Sequence, residues 1–220
     1  MSSGRVLIVG CGDIGIPLGL QLADKGHAVW GLRRSSQLPE PINTLNADVT
    51  DAASLTCLAE LPFDYVVVTL TPGEFSDQRY RAVYVEGLAN VIEALNAPQA
   101  IKRLLFISST SVYHQGGGQW VDESSAAEPK TFSGQRLLEA EQVAASSGIP
   151  HCVIRFAGIY GPGRRRLIEQ VKAKQGCPPS PPLFTNRIHR DDCVGFLAHL
   201  IMMDAQQQAL ATCYIGVDNE

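Results

Sequence analysis

The chain is predicted to fold as an α/β protein, a doubly wound parallel sheet with helices on both faces. Two observations carry this. Short unbroken apolar runs alternate with amphipathic stretches, and the first run ends in three closely spaced glycines that lead into a helical pattern. Apolar runs without strict alternation suit parallel strands covered on both sides, and strand and helix in turn build right-handed βαβ units.

The elements follow in order. "RVLIVG" (5–10) reads as the first strand. Ile14, Leu18 and Leu22 then recur at i, i+4 and i+8, one face of a helix. Pro17 falls about one turn in, where a missing N–H costs little, and Gly26 stops the helix. "HAVWGL" (27–32) and "DYVVVTL" (64–70) are the next β-like runs, followed by a helical pattern from Val83 through Leu95. "KRLLFISS" (102–109), a helical pattern from Leu137 through Ala145 and "HCVIRFAG" (151–158) continue the alternation. "GCPPSPPLFTN" (176–186) contains four prolines and reads as an extended surface segment leaving the sheet. No internal repeat is visible.

At 220 residues the chain suits one domain, or one domain with a small annex, and can bury a core without disulfides. A net charge of −4 gives no electrostatic reason to expect nucleic acid as partner. No apolar stretch approaches the ~20 residues of a membrane helix, and "MSSGR" lacks a signal-peptide layout. Cys11, Cys57, Cys152, Cys177, Cys193 and Cys213 are scattered without metal-ligand spacing, so reduced thiols in a cytoplasmic protein, with no metal, are expected.

Gly10, Gly12 and Gly15 form GxGxxG after a strand and at the start of a helix. The first glycine permits the tight turn, the second lets the backbone approach a pyrophosphate, and the third lets helix and strand pack closely. The helix N-terminus then presents unpaired N–H groups to the phosphates. This predicts a Rossmann-type dinucleotide site, with Asp13 and Ile14 in the same turn. An NAD-specific site usually carries an acid at the end of the second strand to bind the ribose 2′-hydroxyl. Here the chain reads "GLRRS", and the guanidiniums of Arg33 and Arg34 suit a 2′-phosphate. NADP is therefore the expected cofactor, with NAD as the alternative.

Further segments appear in a characteristic order: "NADVTD" (46–51), "VTLTPGE" (68–74), "YVEGLANVIEAL" (84–95), "FISSTSVY" (106–113), "WVDESSAAEP" (120–129), "VIRFAGIYGPGR" (153–164) and "NRIHRDDCV" (186–194). Together with the glycine turn they resemble the extended and atypical short-chain dehydrogenase/reductases, the NAD(P)-dependent epimerases and dehydratases. The resemblance implies a Rossmann domain over residues 1–175, including the 150–162 strand and loop. A partial substrate-binding annex and the last strand, "CYIGVDNE" (213–220), would occupy 176–220. It points to Asp48 and Val49 at the adenine, to Thr69, Leu70 and Thr71 beside the ribose, and to Ser108, Arg136 and Phe156 as further cofactor contacts. Arg164, Arg187 and His189 are implied as substrate contacts, the substrate being a sugar nucleotide or a related carbonyl or alcohol. The helices carrying "YVEGLANVIEAL" and "RLLEAEQVAASS" imply a homodimer. Extended members normally continue for many tens of residues beyond the last strand.

The catalytic positions depart from that pattern. The family's Ser or Thr that polarises the substrate oxygen falls on Ser109. Its Tyr-x-x-x-Lys falls on "TFSGQRLLEAEQ", which places Phe132 at the Tyr and Arg136 at the Lys. A phenylalanine ring has no proton to transfer, and a guanidinium holds charge without relaying one. Losing a positioned acid/base typically costs ~10²–10⁴-fold in rate. Tyr113, His114 and Tyr160 are the candidate replacements. Each also has a plain structural reading, as packing, solvent-facing or turn residue. His189 and Asp192 either line a substrate site or organise a loop, and in "GRRRL" (163–167) Arg164 ranks above Arg165 and Arg166 as a phosphate ligand. Two functions are thus expected: an epimerase/dehydratase-like oxidoreductase with an unorthodox acid/base, or a protein that keeps the dinucleotide for redox sensing or partner binding without turnover.

Overall fold

A computed structural model describes residues 3–95, 100–176, 180 and 185–219. Seven strands form one parallel sheet: β1 (Arg5–Val9), β2 (Ala28–Arg33), β3 (Asn43–Asn46), β4 (Tyr65–Val68), β5 (Arg103–Ser109), β6 (His151–Phe156) and, after two short strands, β9 (Cys213–Gly216). Their order is β3-β2-β1-β4-β5-β6-β9, with every pairing parallel. The chain winds outward from β1 in one direction and from β4 in the other. The carboxyl ends of β1 and β4 therefore open a crevice at the point where the order reverses, where ligands bind in open α/β sheets.

Two apolar layers cover the sheet. On one side α1 (Gly15–Asp24) and α6 (Arg190–Ala205) bury Leu18, Leu22, Leu197 and Ile201 against Ile8, Val67 and Ile154. On the other, a 3-10 helix (Ala52–Glu60), α3 (Gly87–Ala94) and α4 (Phe132–Ser146) bury Leu55, Leu88, Val91, Leu137 and Ala140 against Leu7, Val66 and Phe106. α2 (Asp77–Tyr80) leads through a π-helical segment (Arg81–Glu86) directly into α3. A second, two-stranded parallel sheet pairs β7 (Gly158–Tyr160) with β8 (Arg187–His189), and α5 (Arg166–Lys172) lies between them in sequence.

The five apolar runs named above all contain strands, and the three periodic patterns all contain helices. Other starts and elements depend on local devices rather than on those signals. β3 is "NTLN", a polar edge strand bonded to β2 alone, so it needs no apolar run. α4 begins five residues before its apolar pattern because the Thr131 hydroxyl accepts from the Gly134 N–H at 3.3 Å. α6 starts on a different device: His189 Nδ1 accepts from the Asp191 N–H at 3.2 Å, with Asp191 and Asp192 in the first turn. α6 and Ile188, from the segment expected as an annex, share one core with β1. Residues 177–179 and 181–184 of the proline-rich stretch, Cys177 among them, lie outside the described residues.

Cys11, Cys152 and Cys193 are buried free thiols, pushed up by burial to about 11, about 12 and about 12. Among the described residues, no helix is long and apolar enough to cross a membrane, and no group of three or more His, Cys, Asp or Glu side chains could hold a metal ion.

Candidate dinucleotide cleft

The three glycines occupy physically different places. Gly10 has φ +79°, and a Cβ there would lie 3.0 Å from the Thr69 carbonyl oxygen and Leu70 Cα. The turn is tight because the N–H groups of Gly10 and Cys11 both donate to the Leu32 carbonyl, at 2.9 and 3.0 Å. The Thr69 hydroxyl fastens the same turn to β4 by donating to the Gly10 carbonyl at 2.9 Å. Gly15 packs α1 onto β1: a Cβ would meet Ile8 Cγ2 at 2.9 Å. At Gly12 a Cβ would meet only one neighbour within 4 Å, the Gly10 carbonyl oxygen at an ordinary contact distance of 3.7 Å. No side chain caps the N-terminus of α1. An open glycine beside an uncapped helix start fits a phosphate group, whose oxygens would meet the free N–H donors.

This turn forms the floor of a cleft of about 360 Å3. Gly10, Gly12, Asp13, Ile14, Arg33, Arg34, Asp48, Val49, Thr69, Leu70 and Thr71 line it. Arg79 and Arg164 line it too, which sets four guanidiniums against the carboxylates of Asp13 and Asp48. Burial would raise the Asp48 carboxyl. The Thr50 N–H and hydroxyl bonds, at 2.9 and 2.8 Å, and the charges of Arg34 and Arg79 outweigh it and hold Asp48 below its ordinary value. The helix behind the cleft is fixed by Asn90, whose amide donates to the Val49 carbonyl at 2.9 Å, and by Gly87, where a Cβ would press on Val49 Cγ2 at 2.8 Å.

Other predicted site residues lie elsewhere. Ser108 is buried and donates to Glu141 Oε1 at 2.6 Å, and Phe156 is a core residue edge-on to Phe196. Neither side chain lines the cleft. Arg136 is held by carboxylates: its Nε and Nη2 bond both oxygens of Asp77 at 2.8 and 3.0 Å, and its Nη1 bonds both oxygens of Glu139 at 2.6 and 2.8 Å. Phe132 stands in an aromatic cluster, its centroid 4.8 Å from Phe75 and 5.5 Å from Tyr80.

Ser109 ends β5 half-buried, its oxygen accepting from the Ser111 N–H at 3.2 Å. Tyr113 is not a free acid. Its O–H donates to the Asp122 carbonyl at 2.9 Å while its oxygen accepts from Arg155 at 2.7 Å, and burial pushes the phenol up. His114 is exposed.

The arginine-rich loop divides between two places. Arg164 reaches back to the glycine turn, its Nε and Nη2 each 2.8 Å from Asp13 Oδ2. It also borders a second groove, lined by Tyr160, Arg165, Arg166 and Arg187. Arg187 Nε is buried there without a hydrogen-bond partner among the described residues, and its guanidinium packs against Gly158. His189 serves as the cap of α6 described above, edge-on to Tyr160 at 5.2 Å. Asp192 lines a separate shallow groove with Tyr160 and Phe196. Arg79 was not foreseen as a cleft residue, because a lone Arg in the first turn of a helix carries no motif.

The model of the NAD dependent epimerase/dehydratase family matches residues 6–177. A Streptomyces protein named 3-diazoavenalumate denitrifying reductase is 31% identical over 214 residues, covering 87% of this chain and 70% of that protein. A structure from Methylobacillus flagellatus, provisionally described as an NAD-dependent epimerase/dehydratase, superposes with TM-score 0.86 at 39% identity, over 100% of this chain and 77% of that one. The Bordetella bronchiseptica enzyme WbmG, solved with NAD and UDP, superposes with TM-score 0.75 at 20% identity, over 98% of this chain and 73% of that one.

Proposed function

The chain belongs to the NAD dependent epimerase/dehydratase family, and on that premise we propose that it binds NADP in the cleft above Gly12 and acts as an oxidoreductase or epimerase. The proposed substrate is a sugar nucleotide or a related carbonyl or alcohol compound. The observation that carries this reading is the open cradle at Gly12 facing an uncapped helix start, inside a cleft with four guanidiniums. Arg33 and Arg34, at the end of β2, take the 2′-phosphate. Asp48 and Val49 meet the adenine side, and Thr69, Leu70 and Thr71 line the path toward the carboxyl end of β4. A bound nicotinamide supplies two-electron redox chemistry.

The substrate's anionic part lies in the groove of Arg165, Arg166 and Arg187, where the unpartnered Arg187 Nε gains an acceptor. WbmG, solved with both NAD and UDP, supports a sugar-nucleotide ligand of this kind. Ser109 polarises the reacting oxygen: its own oxygen already accepts from the Ser111 N–H, which leaves its proton to donate. Position 132 offers no proton, and that of Tyr113 is committed to Asp122. The exposed faces of α3 and α4, with Val85, Ala89, Ile92 and Val143 half-buried around a shallow groove, are the surface of a homodimer in this reading.

A second reading is favoured by Phe132 and Arg136: the cofactor is held and sensed without turnover. Titration with NADPH and NADH, followed by fluorescence, tests the shared premise. NADPH is expected to bind more tightly, and Arg33→Asp to remove that preference. Absence of binding by either nucleotide at submillimolar concentration would overturn both readings. Ser109→Ala then separates them, since only an enzyme loses turnover while keeping its cofactor affinity.

A further inference from the structure

Arg164 was expected at the substrate; it borders the groove of Arg165, Arg166 and Arg187 and also reaches the glycine turn. The geometry points to Arg164 as a clamp on the cofactor's pyrophosphate, kept over the glycine turn by Asp13. This rests on the dinucleotide reading above and extends it to a residue outside the Rossmann motif.

Three observations carry it. First, the loop after β7 is shaped to aim this side chain at the turn. Gly161 and Gly163 have φ of +130° and +82°, conformations that L side chains rarely adopt, and the Arg164 N–H closes the turn on the Gly161 carbonyl at 3.1 Å. Second, Arg164 spends only part of its hydrogen-bonding capacity on Asp13. Its hydrogen bond from Nε and its ion pair at Nη2 fall on the single oxygen Oδ2. A guanidinium has five N–H donors in a planar fork, so donors remain on a residue that lines the same cleft as Gly10 and Gly12.

Third, a carboxylate sits inside the phosphate-binding turn, where it would repel the ligand unless neutralised. The structure neutralises it with two arginines from outside the motif, Arg164 and, at 3.5 Å, Arg190. Arg190 is already paired with Asp191 at 2.9 Å, so Arg164 is the one free to turn to an anion. Asp13 thus holds the guanidinium beside the place where the pyrophosphate docks, and little side-chain ordering is left to binding.

The test must separate direct contact from simple neutralisation of Asp13. ADP-ribose, which carries the pyrophosphate without the nicotinamide, is titrated calorimetrically into wild type, Asp13→Asn, Arg164→Ala and the double variant, with UDP as the substrate-side probe. Direct contact predicts that the double variant binds ADP-ribose about tenfold or more weakly than Asp13→Asn alone, the loss of a charge-assisted bond. Equal affinities for those two proteins would overturn the clamp and reduce Arg164 to a counter-ion. Weakened UDP binding with ADP-ribose unchanged would return Arg164 to the substrate. If the wild type bound neither ADP-ribose nor NADPH, the dinucleotide reading itself would fall. Coincident thermal unfolding of the four proteins excludes misfolding as the cause.

Discussion

The Ser108 hydroxyl donates to Glu141 Oε1 at 2.6 Å, and this bond separates the two serines that end β5. Side chains alternate across a strand, so Ser108 turns inward to α4 while Ser109 remains at the open edge. Glu141 is itself bound to Arg155, through Nε at 3.1 Å and Nη2 at 2.6 Å, and Arg155 reaches Tyr113. A buried chain of polar groups therefore runs from β5 through α4 and β6 to the 113–122 segment.

Removing one member of this chain exposes the cost of the others. Glu141→Ala leaves the Arg155 guanidinium buried without its carboxylate. The expected loss is about 3–5 kcal/mol, as for a broken buried ion pair. Glu141→Gln keeps an acceptor for both Ser108 and Arg155 and should lose less. Urea unfolding followed by circular dichroism reads the difference. Equal stability of wild type and Glu141→Ala would show that the pair contributes nothing to the fold.

Gly12 and Gly15 should respond oppositely to an added methyl group. At Gly12 the methyl makes only an ordinary contact, with the Gly10 carbonyl oxygen at 3.7 Å, so Gly12→Ala is expected to change stability by no more than about 0.5 kcal/mol. The same methyl occupies the cradle, and NADPH affinity should fall. Gly15→Ala forces a carbon to 2.9 Å from Ile8 Cγ2 and should cost about 1–3 kcal/mol by overpacking. Paired unfolding and nucleotide titrations check both halves. A Gly12→Ala protein that binds like wild type would place the ligand elsewhere.

Much of this was legible in the residues because parallel strands carry a strong one-dimensional signal. "VLIV" and "YVVV" must be apolar on both faces, and GxGxxG has three distinct spatial jobs at fixed spacing. Asn90, in the segment "YVEGLANVIEAL", ties the helix to Val49. The rest depended on contacts remote in sequence. Nothing near Arg164 announces Asp13, 151 positions earlier. Nothing in "SSTS" says which serine meets Glu141. Nothing near Arg136, expected as a cofactor contact, announces that Asp77, on another helix, occupies its fork.

His27 gives the fold an acid sensitivity. Burial lowers its pKa, opposed by the nearby Asp64 and reinforced by Lys25 and Lys102, and its Nδ1 accepts from the Gly4 N–H at 3.2 Å. A folded-state pKa below the unfolded value of about 6.5 means that the unfolded chain binds more protons in that window. Stability should therefore fall as pH drops through and below about 6.5. His27→Gln retains an acceptor for Gly4 and cannot titrate, so its stability should decline less between pH 7 and 5. Identical slopes for the two proteins would show that His27 does not report on folding.

Restoring the missing phenol should not by itself restore an acid/base. Phe132 and Arg136 lie at i and i+4 on α4, one above the other, so the side chain that would activate a tyrosine is in the right place. Its charge, however, is matched by two carboxylates, Asp77 and Glu139, and the ring at 132 is packed against Phe75 and Tyr80. In Phe132→Tyr the added phenol would face two carboxylates against one guanidinium, and that excess of negative charge favours its neutral form. Its phenolate should appear at or above the ordinary value of about 10 in a near-ultraviolet difference titration against wild type. Adding Asp77→Asn should lower that midpoint by freeing the guanidinium. A midpoint below about 8 in the single variant would mean that Arg136 keeps an effective charge despite Asp77 and Glu139, and would overturn the reading that these carboxylates silence it.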